Sequence, residues 1–262
     1  MSKRLLFTLL LTGCELLGGR TRHPPVDDDS DGNPLDSDVV DTDTGFVGPC
    51  SPEMALVDDS FCVDRWEAHT EEFDGSAWVP SSPFATIGPR EVRAVSSAGA
   101  TPQGYISADE AAVACEAAGK RLCSSVEWLA SCRSPDGRTY PYGNIYDPNA
   151  CNDTYEGGHP VLDFFSPETD VWDTAHLNDP GINQQPNTLT LTGQKAGCVS
   201  DAGVYDLHGN VHEWVEDADG TFRGGFYADG VMNGAGCTYV TTAHSSNYHD
   251  YSTGFRCCSD PQ

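Results

Sequence analysis

Lysine and arginine are scarce in this chain, 14 against 40 aspartates and glutamates over 262 residues, for a formal net charge of −26. A surface with that balance repels phosphate backbones and anionic headgroups, which argues against nucleic acid as a partner and makes cations the natural counter-ligands. Long apolar runs are missing too: the stretch from Leu5 to Leu11 is too short to span a bilayer. There is no repeat of fixed period, no Gly-x-Ser-x-Gly elbow and no His-Glu-x-x-His pair. The local signatures of repeat proteins, α/β-hydrolases and zincin proteases are therefore absent.

The N-terminus carries two basic residues, Lys3 and Arg4, then the short apolar stretch, then Leu11-Thr-Gly-Cys14. This order is that of a signal peptide, and its last four residues resemble the lipobox of bacterial lipoproteins, in which the cysteine is lipidated. Cys14 is thus the expected membrane anchor of an extracytoplasmic protein, with residues 1–14 removed or modified as leader and lipobox. Ten of the 11 cysteines remain, an even number that in an exported chain points to disulfides. Cys257 and Cys258 are adjacent, so each is expected to reach a separate partner and draw the C-terminal region into the core.

Residues 15–49 hold eight Asp and Glu15 against Arg20 and Arg22, a local net charge of −7, with Pro, Gly, Ser and Thr between them. No core can be built from such a segment, and an acidic, solvated tether is expected. Asp27, Asp29, Asp31 and Gly32 match the start of a calcium loop, but without flanking helical patterns the linker reading is preferred. Residues 50–262 read as one domain. Ser107 to Glu110 and Ser124 to Glu127 are capping boxes, predicting one helix through Ala118 and a second with Val126, Leu129 and Ala130 facing inward. Short strands are expected at Met54 to Val57, Phe61 to Trp66 and Thr221 to Tyr227. The polar stretch from Asp153 to Cys198 is expected to be a long surface excursion.

In Gly203-Val-Tyr-Asp206-Leu-His-Gly209-Asn210-Val-His-Glu213-Trp214, His208 and His212 are spaced as on one helical face, yet Gly209-Asn210 between them favours a turn, and the zinc reading is poor. Together with Gly119 to Trp128, Tyr140-Pro-Tyr-Gly143, Cys151-Asn152, Arg223-Gly-Gly225 and Gly254-Phe-Arg256, this segment resembles the formylglycine-generating enzymes, or sulfatase-modifying factors. The resemblance covers roughly Met54 to Cys258. It implies an α+β fold, irregular and C-type-lectin-related, with few helices, short strands and several disulfides.

The resemblance also implies calcium at the turn, through the side chains of Asp206 and Glu213 and the carbonyls of Gly209 and Val211. A second calcium set would begin at Asn152 and the carbonyl of Asp153. Oxygen donors of this kind suit a hard cation. The family's enzymes oxidise a substrate cysteine using a cysteine pair that binds copper(I), five residues apart after the Arg-Gly-Gly motif. Here Cys237 is the only thiol of that region, Ala228 to Met232 contain none, Phe226 stands where the family has serine, and Thr238 to Thr242 replace the expected arginines. Cys237 is accordingly expected to be a structural half-cystine paired with Cys198. Iron-binding branches of the family direct attention to His159, His176, His244 and His249, which show no facial-triad spacing.

Three functions follow as expectations: a lipid-anchored module that binds a protein, peptide or glycan without formylglycine-generating activity, a copper or non-haem iron oxidoreductase with atypical ligands, or a structural envelope component. If Cys14 is the anchor, Cys14→Ser moves the protein from the membrane fraction to the soluble fraction on ultracentrifugation. Unchanged membrane association would remove the assignment.

Overall fold

Two serine caps start the two principal helices of the computed structural model, which describes residues 48–217 and 220–262. Helix α1 spans Ala108–Ala117: Ser107 Oγ accepts the Glu110 N–H, and the Glu110 carboxylate accepts the Ser107 N–H at 3.0 Å. Helix α2, Ser125–Arg133, begins with the same reciprocal pair between Ser124 and Glu127. Both starts fall where the capping boxes place them. The expected inward stripe of α2 holds in part: Leu129 and Ala130 are partly buried against the core. Val126 is 77% exposed, while Trp128, Ser131 and Cys132 are buried. The helix is rotated by its long-range bonds, since the Trp128 indole donates to Glu213 and Cys132 is disulfide-bonded to Cys237.

Around these helices the chain forms short strands in three sheets. The first contains β1 (Met54–Val57), β2 (Phe61–Asp64), β6 (Arg121–Leu122) and β11 (Cys257–Ser259), in the order β1-β2-β11-β6. The second joins β7 (His212–Trp214), β8 (Phe222–Arg223), β9 (Val240–Thr241) and β10 (Thr253–Phe255), with β10 parallel to β7. The third is an antiparallel ladder of β3 (Ala68–Phe73), β4 (Trp78–Pro80) and β5 (Val92–Ser96). Strand β11 thus lies between two strands far from it in sequence.

One part of the core packs Ala111 and Ala114 of α1 against Ile106, Trp214 and Phe255. A second gathers Val57, Val63, Trp128, Leu207 and Val215. Apolar area of this kind, removed from water at about 25 cal/mol per Å², is what holds so little regular structure together. Five disulfides supplement it: Cys50–Cys62, Cys115–Cys257, Cys123–Cys258, Cys132–Cys237 and Cys151–Cys198. Cys257 and Cys258 go to separate partners, as adjacency requires, because neighbouring residues on a strand point to opposite faces. The expected pairing of Cys198 with Cys237 is replaced by Cys151–Cys198 and Cys132–Cys237; position in sequence carried no information on which segments fold side by side.

The stretch from Asp153 to Cys198 is more than a surface excursion. It contains α3 (Pro160–Phe165) and α4 (Thr174–Leu177) and buries Val161, Val171 and Ile182 against Tyr105, Tyr227 and Tyr251. Its apolar residues are too widely spaced to show a period. Cys14, residues 15–47 of the acidic tether and the Asp27, Asp29 and Asp31 spacing lie outside the described residues. Among the described residues, no helix is long and apolar enough to cross a membrane. Because each capping box satisfies two helix-end donors, Ser124→Ala is expected to lower unfolding free energy by about 1 kcal/mol. A urea midpoint unchanged from wild type would show that the box contributes nothing.

Candidate functional site

Residues 205–211 turn sharply before β7, and the turn is built from left-handed residues: Asp206 at φ 61°, Gly209 at 83° and Asn210 at 58°. Glycine is required at 209, where a Cβ would come within 2.1 Å of the Asn152 carbonyl oxygen. The Asn210 N–H donates to that same carbonyl at 2.7 Å, and Asn152 Nδ2 donates to Asn210 Oδ1 and to the Thr188 carbonyl, both at 2.9 Å. The turn expected from Gly209-Asn210 therefore forms, and it is clasped by the segment at Cys151-Asn152.

The two histidines go to different neighbourhoods. His208, fully buried, meets Asp153 Oδ2 through Nε2 at 3.0 Å. His212 is buried among Phe222, Phe226 and Tyr239, with ring centroids 4.3, 4.9 and 5.4 Å away. Burial away from any acceptor disfavours its imidazolium and pushes its pKa down to about 3.

Beneath the turn lies a buried charge cluster that sequence patterns only partly revealed. Arg256 Nε donates to Glu213 Oε2 at 2.5 Å and its Nη2 to Oε1 at 2.6 Å, while Trp128 Nε1 donates to Oε2 at 2.7 Å. The guanidinium also donates to the carbonyls of Asp64 and Tyr205. Glu67 accepts from Asn210 Nδ2 and the Val211 N–H, and Asp206 Oδ2 accepts the Gly193 N–H at 2.7 Å. Three carboxyls thus share one guanidinium in a water-poor site. Burial, with the charges of Asp206 and Glu213 adding to it, drives the Glu67 pKa well up, and burial pushes Asp206 up to about 6. Glu67 and Arg256 carry no role in the sequence reading; the signals available were an acidic residue directly after the stretch from Phe61 to Trp66 and the arginine that closes Gly254-Phe-Arg256.

The calcium expectation finds its residues gathered but largely committed. Glu213 does not fit a ligand role without surrendering the bidentate pair with Arg256, and Asn152 Nδ2 faces protein acceptors. Asp206 and the carbonyls of Gly209 and Val211 stand at the turn. Among the described residues, no group of three or more His, Cys, Asp or Glu side chains is arranged to hold a metal ion.

The region after Arg223-Gly-Gly225 is likewise filled by protein. Cys237 is fully buried and bonded to Cys132, and all ten cysteines of the described residues are in disulfides. Phe226 packs on His212 and Tyr251. Of the other histidines, His244 stacks on Tyr248 at 3.8 Å, His249 Nδ1 meets Asn178 at 2.7 Å, His159 caps α3 and His176 pairs with Asp173. Each is taken up by a different partner.

The sequence model of the sulfatase-modifying factor enzyme 1-like domain matches residues 41–261, and the chain belongs to that family. A curated relative, the inactive C-alpha-formylglycine-generating enzyme 2 of Bos taurus, is 30% identical over 169 residues, 60% of this chain and 50% of the relative. Its Mus musculus counterpart is 28% identical over a similar span, so the chain covers about half the length of the curated relatives it matches. Among solved structures, PvdO from Pseudomonas aeruginosa aligns with a TM-score of 0.46 at 14% identity, covering 76% of this chain and 80% of that one.

Neutral burial of His212 has a pH signature. Its pKa falls from 6.5 unfolded to about 3 folded, so its contribution is present above pH 6.5 and is lost as pH falls toward 3. Asp206 and Glu67 act oppositely, since their raised values favour the folded state at lower pH. Comparing wild type with His212→Phe isolates the histidine. Between pH 7.5 and 5 the wild type is expected to lose about 2 kcal/mol more than the variant in urea unfolding. Parallel pH profiles would contradict it.

Proposed function

We propose that this chain is a binding module of the sulfatase-modifying factor family without formylglycine-generating activity, held outside the cytoplasm by a lipid on Cys14. The observation that carries the reading is the fate of Cys237. A copper(I) centre of the family type needs two thiolates, and the one cysteine in the corresponding region is tied to Cys132. Phe226 against His212 fills the neighbouring space with apolar side chains. The name of the bovine relative, an inactive enzyme 2, supports the same direction.

Calcium enters this reading as a stabiliser of the turn, through Asp206 and the carbonyls of Gly209 and Val211, with Asn152 and Asp153 as the second set. A carboxyl held up near pH 6 by burial gains from a cation beside it. A ligand at a hundred times its dissociation constant stabilises by roughly 2.7 kcal/mol. Calcium is expected to raise Tm in the wild type and to lose that effect in Asp206→Asn; no shift in the wild type would remove calcium from the proposal. For activity, a cysteine-containing sulfatase peptide incubated with the protein and copper(I) is expected to gain no aldehyde by mass spectrometry. Conversion, together with a free Cys237 in non-reducing peptide maps, would restore the enzyme.

A further inference from the structure

The five tryptophans of the chain have different surroundings. Trp128 and Trp214 are fully buried, Trp66 is stacked on Tyr205, and Trp78 lies beneath the Arg93 guanidinium. Trp172 is 51% exposed. Among the described residues no ring is stacked on its indole and no guanidinium or ammonium covers it. An indole left this open keeps a large apolar face in contact with water.

The ring is held in place on three sides. Val171 before it is fully buried, and Asp173 after it caps α4, accepting the Ala175 and His176 N–H groups at 2.9 and 3.1 Å. His159 meets the indole nearly at right angles, with centroids 5.0 Å apart and 73° between the planes. His159 is itself fixed as the cap of α3, where its Nδ1 accepts the Val161 N–H at 3.3 Å. In a neutral imidazole the nitrogen that accepts carries no proton, so Nε2–H is the donor of this ring. Partial burial outweighs the charge of Asp163 and holds the His159 pKa below its usual value, which keeps the ring neutral. A platform ordered in this way spends little conformational entropy on association.

An acceptor stands on the same side. From Asp170 to Trp172 the chain runs exposed, buried, exposed, so Asp170 and Trp172 project outward together, as alternate residues of an extended segment do. A sugar ring matches this set: its C–H groups meet the negative face of an indole, and its hydroxyls both donate and accept, to a carboxylate on one side and from an N–H on the other. We propose that Trp172, with Asp170 and His159 beside it, binds a neutral pyranose unit of a glycan. A carboxylated sugar would meet the like charge of Asp170. A quaternary ammonium would use the indole and the carboxylate but leave the His159 N–H without an acceptor. The inference rests on the binding-module reading and names the class of ligand.

The test uses the full-length protein and three neutral hexasaccharides: cellohexaose, maltohexaose and chitohexaose. Saturation-transfer difference NMR is expected to show transfer to the ring C–H protons of at least one, and titration then gives its affinity. Trp172→Ala is expected to weaken that binding roughly tenfold. Trp172→Phe, which keeps a smaller platform, should fall between the two, and Asp170→Ala should weaken binding severalfold. Val126→Ala, equally accessible but on α2, should leave it unchanged. Failure of all three sugars to bind, or undiminished binding to Trp172→Ala, would overturn the proposal. So would choline binding more tightly than the best sugar, which would make the platform a cation site. Aldehyde formation on a sulfatase peptide would instead remove the reading on which the proposal rests, whatever the sugars do.

Discussion

The fully buried pair between Arg256 and Glu213 is the contact on which the rest of the domain depends. Its guanidinium reaches the backbone beside β2 through the Asp64 carbonyl and the turn before β7 through the Tyr205 carbonyl, while Glu213 brings in the indole of α2. Four segments distant in sequence are thereby fixed by two side chains. Such a pair is weak evidence of net stability, since desolvation offsets much of its attraction, but removing one partner strands the other charge in the core at a cost of about 3–5 kcal/mol. The cluster therefore acts as a constraint on geometry: the turn must approach β11 for either charge to be satisfied.

That constraint also explains why the turn has an irregular backbone. Asp206, Gly209 and Asn210 occupy left-handed conformations, and each carries an interaction that needs its position. Asn210 alone joins Asn152, Thr190 and Glu67 through its side chain. With so few hydrogen bonds available from long strands or helices, side-chain amides and carboxyls satisfy the buried backbone that regular structure would otherwise satisfy.

Sequence made the local parts of this arrangement legible. Capping boxes located both helices because their chemistry is contained in four residues, and Gly209-Asn210 gave the turn because left-handed backbone has few occupants. The motif order gave the family and with it the α+β class. The missing parts were those decided by distance. Val126 faces solvent, against its spacing, because helix rotation depends on what Trp128 and Cys132 bind elsewhere, and the expected Cys198–Cys237 bond gives way to others because spacing does not say which loops become neighbours. The charge cluster was half visible. Asp206 and Glu213 stood out in one segment, whereas Glu67 and Arg256, from the two ends of the domain, complete the electrostatics.

Strand β11 has a further consequence, for the order of events during synthesis. It is the inner neighbour of both β2 and β6, and its two cysteines bond to partners 142 and 135 residues earlier in the chain. Until it is made, the first sheet lacks its centre, and Cys115 and Cys123 have no native partner to meet. A nascent chain of this domain can therefore close Cys50–Cys62, Cys151–Cys198 and Cys132–Cys237 first, while Cys115 and Cys123 wait for this strand. During that interval mispairing competes most strongly with folding, and access to a thiol–disulfide exchange catalyst should govern the yield of native protein more than the stability of the finished fold.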